Sequence, residues 1–496
     1  MHLLIRADAS AQIGTGHVMR CLALAQAWMQ HDGRAILMTE TSPWLKSRLI
    51  SEKIQILHLK SIAGSREDAW ETVQAAQRVE ATWVVVDGYQ FNAEYQCIFK
   101  EHGLQLLVLD DYGHAKHYWA DIVLNQNISA NISLYANREP YTQLLLGPRF
   151  ALLRREFWDW QGWQRQTPEV ARKILVTLGG ADPDNVTLKV IQTLQQVQID
   201  DLQIVAVVGA SNPHIEALKE AVQNSRHSIR LERNVTNMPE LMAWADIAIA
   251  GGGSTCWELT FMGLPALVII LAENQRAIAE TLDQAGIAQA IGWSASQTAE
   301  TIAREILKVL LSKQIQTRMT QLGQALVDGQ GSDRVLMILK GKTLRLRQVH
   351  PEDCELLWKW ANDSEVRAYS FSTESIPWDT HKLWFSKQLK DSSHHLFIGI
   401  NKEDEPIGQV RFDTWDNEHA EISISLDCNH RGQGYGTVLI NLGIEELLRQ
   451  IHIQAIHARI KPHNLASCKV FEKAQFKRLT EEVIKGHPAL HYLRII

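Results

Sequence analysis

The run Ile13-Gly14-Thr15-Gly16-His17-Val18-Met19-Arg20 decides how the first part of this chain is read. It follows the apolar segment His2-Leu3-Leu4-Ile5 and the residues Arg6-Ala7-Asp8, and it opens an amphipathic pattern through Val18, Met19, Leu22, Ala25 and Met29. That order spells strand, glycine loop and helix, with His17 in the first helical turn. Glycines let a backbone come close to a ligand, and a helix start offers unpaired N–H groups and a positive dipole end. The dipole favours neutral imidazole over imidazolium, and a neutral histidine beside an anion site suits a general base. A glycine turn followed by a solvated histidine has the same spacing, so the pattern alone leaves both readings open.

Working outward, uniformly apolar runs at 35–38, 54–59, 83–87, 104–110 and 122–125 alternate with helical patterns at 65–80 and 92–102. Such alternation predicts a parallel sheet covered on both faces, with ligands beyond the carboxyl ends of its strands. Those ends are polar: Arg6 and Asp8, Asp87-Gly88-Tyr89, Asp110-Asp111-Tyr112 and Asn125-Gln126-Asn127. Singly each is ordinary turn chemistry; together they predict a cleft lined with hydrogen-bonding groups.

A connection at 147–168 carries Trp158, Trp160 and Trp163, and the alternation then restarts. A strand from Lys173 to Leu178 ends in Gly179-Gly180-Ala181-Asp182-Pro183, with Asn185 just inside a helix. Further strands are predicted at 203–208, 229–231, 247–250 and 266–270. A second glycine turn, Gly251-Gly252-Gly253-Ser254-Thr255-Cys256-Trp257-Glu258, lies between the last two, and Glu273-Asn274-Gln275 opens another helix. Two doubly wound units in tandem, at 1–150 and 151–335, place a substrate in the crevice between them. No Lys-Ser/Thr pair follows the second loop, so it is no triphosphate P-loop, although its N–H groups suit a diphosphate. Glu258 suits the two hydroxyls of a ribose, or is simply a first-turn acid stabilised by the helix dipole.

The opening Arg6-Ala7-Asp8-Ala9-Ser10, the loop at 13–20, Asp87-Gly88-Tyr89, Gly179-Gly180-Ala181-Asp182, Glu258 and Glu273-Asn274-Gln275 resemble the UDP-sugar hydrolases of pseudaminic acid biosynthesis, from residue 1 to about Gly292. The resemblance implies the GT-B fold, shared with the glycosyltransferase that adds N-acetylglucosamine in peptidoglycan synthesis. It also implies metal-free hydrolysis of UDP-2,4-diacetamido-2,4,6-trideoxy-β-L-altropyranose to the free sugar and UDP. His17 is then the base that activates water for attack on C1. Tyr89 and Asn274 take family positions near the sugar and the water, Glu258 binds the ribose, and Asp8, Gly14, Gly16, Gly180 and Gln275 complete the substrate site. UDP leaves readily, so one base and phosphate-stabilising N–H groups suffice without a carboxylic acid partner, and attack opposite UDP inverts the anomeric centre.

The last third reads differently. A strand at 343–348 and a helix from Pro351 holding Trp358 and Trp360 precede antiparallel strands at 395–400, 406–413 and 420–426. Arg431-Gly432-Gln433-Gly434-Tyr435-Gly436 then opens a helix at 437–449, followed by a strand at 455–459 and a helix at 465–474. With Asn464 and the Ser467…Phe471-Glu472-Lys473 run, this resembles the GNAT superfamily of acetyltransferases. The expected domain covers 342–496 and has an α+β fold. The resemblance implies that acetyl-CoA is the co-substrate. Arg431, Gly432, Gly434 and Gly436 would hold its diphosphate, the strand ending at Leu426 would pair with the pantetheine arm, and Asn464 would contribute to the same site. Many members place a tyrosine where Phe471 stands, and Gln475 replaces a common glycine. Ser467 or an ordered water is the substitute acid, and Glu421 a candidate base through water. Arg345, Arg347 and Lys359 would attract a diphosphate, or be simply solvated.

Composition narrows the partners. A length of 496 residues suits about three domains, and 45% hydrophobic with 21% charged residues is ordinary for packed cores. The formal net charge of −6 gives no basic balance for nucleic acid or an anionic membrane. Neither a leader nor a long uncharged apolar run is expected, and Cys21, Cys97, Cys256, Cys354, Cys428 and Cys468 form no CxxC pair. These features predict a cytoplasmic protein with reduced thiols and no zinc site, and the resemblances imply metal-free action on small UDP-sugars. The acetyltransferase unit would then modify the 4-amino group of UDP-4-amino-4,6-dideoxy-N-acetyl-β-L-altrosamine and supply the hydrolase. A GT-B glycosyltransferase, a hydrolase of another diamino UDP-sugar, a nucleotide-sugar sensor, and an acetyltransferase of protein N-termini share these motifs. Oligomeric state is not encoded in them.

Overall fold

Apolar strands that alternate with helices can cover both faces only as parallel sheets, and the computed structural model of the chain contains two of them. It describes residues 1–10, 14–180, 182–209, 212–341, 344–415 and 418–496. The backbone divides into two units, Met1–Leu336 and Met337–Ile496.

In the first unit, β1 (His2–Ala7), β2 (Arg34–Met38), β3 (Gln55–Leu57), β4 (Ala81–Asp87), β5 (Leu106–Leu109), β6 (Ile122–Asn125) and β7 (Gln143–Leu146) form one sheet. Their order is β3-β2-β1-β4-β5-β6-β7, all parallel. β8 (Lys173–Thr177), β9 (Gln203–Val208), β10 (Ser228–Arg233), β11 (Ile247–Gly251), β12 (Ala266–Ile270) and β13 (Gln289–Trp293) form the second, in the order β10-β9-β8-β11-β12-β13. The order reverses between β1 and β4 and again between β8 and β11, so a crevice opens beyond the strand ends at each point. The sequence reading did not anticipate β7 or β13. β7 is a short edge strand, and β13 carries a pairing irregularity opposite Val268/Ile269 beside Gly292 at φ +102°.

The period-two rule sets the cores of the second sheet. Leu175, Ala248 and Ala250 pack on one face, while Ile174, Val176, Ile247 and Ile249 pack on the other. The helix Gly16–Gln30 is buried along most of its length, including the polar residues His17, Arg20 and Gln26. Buried polar groups on a packed helix require partners, and these lead to the site. Asn185, expected inside a helix, sits one residue before Val186–Leu194 in a left-handed conformation.

The second unit holds β14 (Arg345–Gln348), β15 (His394–Ile400), β16 (Pro406–Thr414), β17 (His419–Leu426), β18 (Ala455–Ile460), β19 (Lys477–Ile484) and β20 (His487–Ile495), ordered β14-β15-β16-β17-β18-β20-β19. All pairs are antiparallel except β17–β18, which the helix Tyr435–Gln450 connects. Val410, Phe412, Ile422 and Ile456 of the sheet bury against Leu439, Ile440 and Leu447 of that helix. β17 pairs with β16 from Leu426 to Ala420, yet with β18 only from His419 to Glu421. Beyond Glu421 and His457 the two parallel strands part. No helix among the described residues is long and apolar enough to cross a membrane.

Candidate active sites

The first site lies at the β1/β4 reversal. The helix after β1 supplies His17 and Arg20, and the last residue of β4 is Asp87. His17 Nδ1 lies 2.5 Å from Asp87 Oδ1, and Arg20 grips the same carboxylate at 2.6 and 2.7 Å. Burial alone would raise the Asp87 carboxyl, but Arg20 and His17 outweigh it and hold it well below the usual carboxylate range. A carboxylate only accepts, so His17 Nδ1 carries a proton, and the lone pair of the neutral ring is the one on Nε2. That Nε2 makes no hydrogen bond to a described residue.

Arg20 extends the network to Asp111 at 2.6 Å, and Tyr89 OH donates to the other Asp111 oxygen at 2.8 Å. Asn274 Nδ2, at the start of the helix Glu273–Gln284 after β12, donates to Tyr89 OH at 2.9 Å. The Tyr89 ring meets His17 edge-on at 5.1 Å. Burial and the Asp111 carboxylate push the Tyr89 phenol well above its usual value, so it stays a donor. The structure therefore brings together His17, Tyr89 and Asn274, and adds Arg20, Asp87 and Asp111. The polar strand ends were the only sequence signal for Asp87 and Asp111, and the loop motif the only one for Arg20, because the pairing of β1 with β4 joins residues 70 positions apart.

The two glycine turns face each other within this unit. A Cβ on Gly16 would stand 3.6 Å from Ser254 Oγ, and one on Gly180 would stand 3.0 Å from Thr15 Oγ1. Gly14 has φ +79° and Gly179 φ +95°, which other residues adopt only under strain. The N–H groups of Gly253, Ser254 and Thr255 bond to no described residue. Ile13 and Ala181, quoted in the motifs, lie outside the described residues. Glu258 is held by Arg154 through a single oxygen, Oε1, at 3.1 and 2.8 Å, which leaves Oε2 to accept. Burial raises its carboxyl above the usual value and Arg154 opposes that.

Two residues expected in the substrate site, Asp8 and Gln275, have partners within the protein. Asp8 accepts from Arg6 at 2.6 Å, from the Glu40 N–H at 2.9 Å and from Gln90 at 3.4 Å, so both oxygens serve the scaffold. Gln275 Oε1 accepts from the N–H groups of Gly252 and Leu271 at 3.0 and 3.1 Å and props up the glycine turn.

The second site is the parted pair β17 and β18. Strands that separate leave edge N–H and C=O groups able to bond an extended ligand, here along β17 from residue 422 to Leu426. The loop beyond Leu426 has Gly432 at φ +70° and Gly434 at φ +88°, and Gly434 caps the helix Tyr435–Gln450. The N–H groups of Gly432, Gly434 and Gly436 bond to no described residue, which fits the diphosphate and pantetheine arm of acetyl-CoA. Gly436 serves packing as well, since a Cβ there would stand 3.1 Å from Val470 Cγ1.

Arg431, expected to meet the diphosphate, instead binds Asp363 and Glu365 at 2.6 and 2.7 Å. Asn464 Oδ1 caps its helix by accepting from the Ser467 N–H at 3.1 Å, and the Ser467 hydroxyl makes no hydrogen bond to a described residue. Glu421 is paired with Arg459 at 2.5 Å through Oε2. Arg345, Arg347 and Lys359 are all paired with acids, at 2.7 Å to Asp404, 2.6 Å to Asp353 and 2.8 Å to Glu355, because each has a carboxylate on an adjoining turn or strand. Among the described residues no group of three or more His, Cys, Asp or Glu is placed to hold a metal ion.

Comparison with known proteins fits this geometry. Residues 173–330 match the glycosyltransferase family 28 C-terminal domain, and residues 343–477 match the acetyltransferase (GNAT) domain. An uncharacterized protein of Methanocaldococcus jannaschii is 24% identical over 96% of this chain and 97% of its own length, so it spans both units. The UDP-2,4-diacetamido-2,4,6-trideoxy-beta-L-altropyranose hydrolase of Campylobacter jejuni is 26% identical over 58% of this chain and 97% of its own. Among solved structures, MurG of Acinetobacter baumannii aligns with 68% of the chain and 99% of its own length at 16% identity and a TM-score of 0.48. The chain thus carries a stretch matching the glycosyltransferase family 28 C-terminal domain, in a part similar to a UDP-sugar hydrolase, followed by a stretch matching the acetyltransferase (GNAT) domain.

Proposed function

We propose that the first unit hydrolyses UDP-2,4-diacetamido-2,4,6-trideoxy-β-L-altropyranose at C1, with His17 as the general base. The observation that carries this reading is the His17 ring: Nδ1 is fixed by Asp87 and Nε2 bonds to no described residue, at the sheet reversal beside two facing glycine turns. Nε2 takes a proton from water as its oxygen attacks C1, and the Asp87 carboxylate stabilises the imidazolium that forms. The C1–O bond breaks towards UDP, whose charge is met by the N–H groups of the glycine turns. Glu258 Oε2 accepts from the ribose, and Tyr89 with Asn274 lines the sugar side. One displacement inverts the anomeric centre. The step needs no metal.

The second unit N-acetylates the 4-amino group of UDP-4-amino-4,6-dideoxy-N-acetyl-β-L-altrosamine with acetyl-CoA, giving the substrate of the first. Glu421 receives the amine proton through water, and Ser467 returns one to the departing thiolate in place of the tyrosine that Phe471 replaces. UDP-sugars and acetyl-CoA are cytoplasmic metabolites, and we place the chain there. The test is mass spectrometry after incubating the chain with the 4-amino UDP-sugar and acetyl-CoA. Free diacetamido sugar and UDP are expected, and His17→Ala should stop at the acetylated UDP-sugar. UDP release only on addition of a second sugar would favour a glycosyltransferase, which the family 28 match keeps as the second reading.

A further inference from the structure

Three cations of the second unit converge on residues 367–374 with no acid to meet them. Lys461, directly after β18, is only 4% exposed, and its single hydrogen bond is to the Ala368 carbonyl at 3.2 Å. Arg367 bonds to the carbonyls of Ser372 and Glu374 at 3.1 and 3.4 Å and to Ser370 Oγ at 3.1 Å. Its Nε is buried and without a partner. Lys485, in the turn between β19 and β20, donates to Ser372 Oγ at 2.9 Å. No carboxylate of a described residue lies within 4.0 Å of any of them, whereas Arg345, Arg347, Lys359 and Arg431 are all paired. A buried cation without a counter-charge is costly, and burial lowers the Arg367 guanidinium below its usual value.

The place is informative. Arg431 of the glycine loop reaches Asp363 and Glu365, and Lys461 reaches Ala368, so the short helix Ser364–Tyr369 spans the open end of the parted strands. Ammonium and guanidinium groups with donors to spare, grouped at that mouth, suit a group with several anionic oxygens.

We propose that Arg367, Lys461 and Lys485 bind the diphosphate of the nucleotide-linked acceptor and so select a phosphorylated amine over a free one. This rests on the reading of the second unit as an acetyltransferase of a UDP-amino sugar. The acetyl-CoA diphosphate, at the glycine loop, is a separate anion site.

The test uses the full chain carrying His17→Ala, so that the sugar nucleotide stays intact. Lys461→Met and Lys485→Ala should each raise KM for the UDP-linked amine about tenfold, with KM for acetyl-CoA within twofold, since a charged hydrogen bond is worth about that much. The same amino sugar without UDP should be acetylated equally poorly by all three proteins. A rise in KM for acetyl-CoA alone would assign the cations to CoA phosphates, and unchanged KM values would also overturn the proposal. If the parent never acetylates the UDP-linked amine, the acceptor reading fails. Inorganic pyrophosphate, added with saturating CoA, then decides the site: protection of 366–374 from hydrogen exchange that Lys461→Met abolishes supports it, and no protection overturns it.

Discussion

The two candidate sites use different parts of the polypeptide. In the first unit the chemistry sits on side chains, a chain of ion pairs and hydrogen bonds from His17 through Asp87, Arg20, Asp111 and Tyr89 to Asn274. In the second the groups suited to the co-substrate are on the backbone, the parted edges of β17 and β18 and the N–H groups of a glycine loop, while Arg431 and Glu421 beside them are paired with other side chains. A side-chain site is broken by removing one functional group. A backbone site survives that and is broken by changing what φ the chain can adopt.

The largest effect should therefore come from His17→Ala, which removes the base and lowers UDP release by about 10²–10⁴-fold, read by a coupled UDP assay. Acetyl transfer by the same protein should be unchanged. The reciprocal change is Gly434→Ala. A non-glycine residue at φ +88° costs about 1–2 kcal/mol, so the KM for acetyl-CoA should rise about tenfold while UDP release is unaffected.

That contrast also explains what could be read in advance. The glycine turns, the alternation and the GNAT loop were legible because local backbone requirements write themselves into adjacent residues. The partners of His17 were not. Asp87 and Asp111 were visible only as polar strand ends, and Arg20 only as part of a motif; their convergence depends on β1 lying beside β4. Gly180 and Thr15 likewise meet only when the two sheets are packed together. Asp8, Gln275, Arg431 and Asn464 were noticed as ligand contacts by resemblance, and their bonds to neighbouring protein groups, through Oε1 of Gln275 and Oδ1 of Asn464, could not be read from the sequence.

Tyr89→Phe sharpens the comparison at an intermediate scale. It removes the hydroxyl that links Asn274 to Asp111, and UDP release should fall severalfold to about tenfold, a loss of about 1–1.5 kcal/mol. Acetylation should not change.

The smallest effect is in pH. Burial opposes charge on His114, but Asp110 raises its imidazolium above 6.5, so its stabilising contribution is complete below pH 6.5 and fades as pH rises through the folded value. His457 goes the other way, pushed down to about 4 by burial and by His491, His419 and Arg459. Its contribution is present above pH 6.5 and is lost as pH falls from 6.5 to about 4. Hydrogen exchange read by mass spectrometry should show acid loosening β18 and β20 of the second unit, and alkali loosening the segment around His114. His457→Gln should remove the acid response alone.

The most direct test is turnover of the acetylated UDP-sugar in heavy-oxygen water, with no second sugar present. Attack of water on the sugar carbon from the His17 cleft predicts UDP of natural isotopic mass, formed by the parent chain and nearly absent with His17→Ala. UDP carrying heavy oxygen, or undiminished release by His17→Ala, would contradict it.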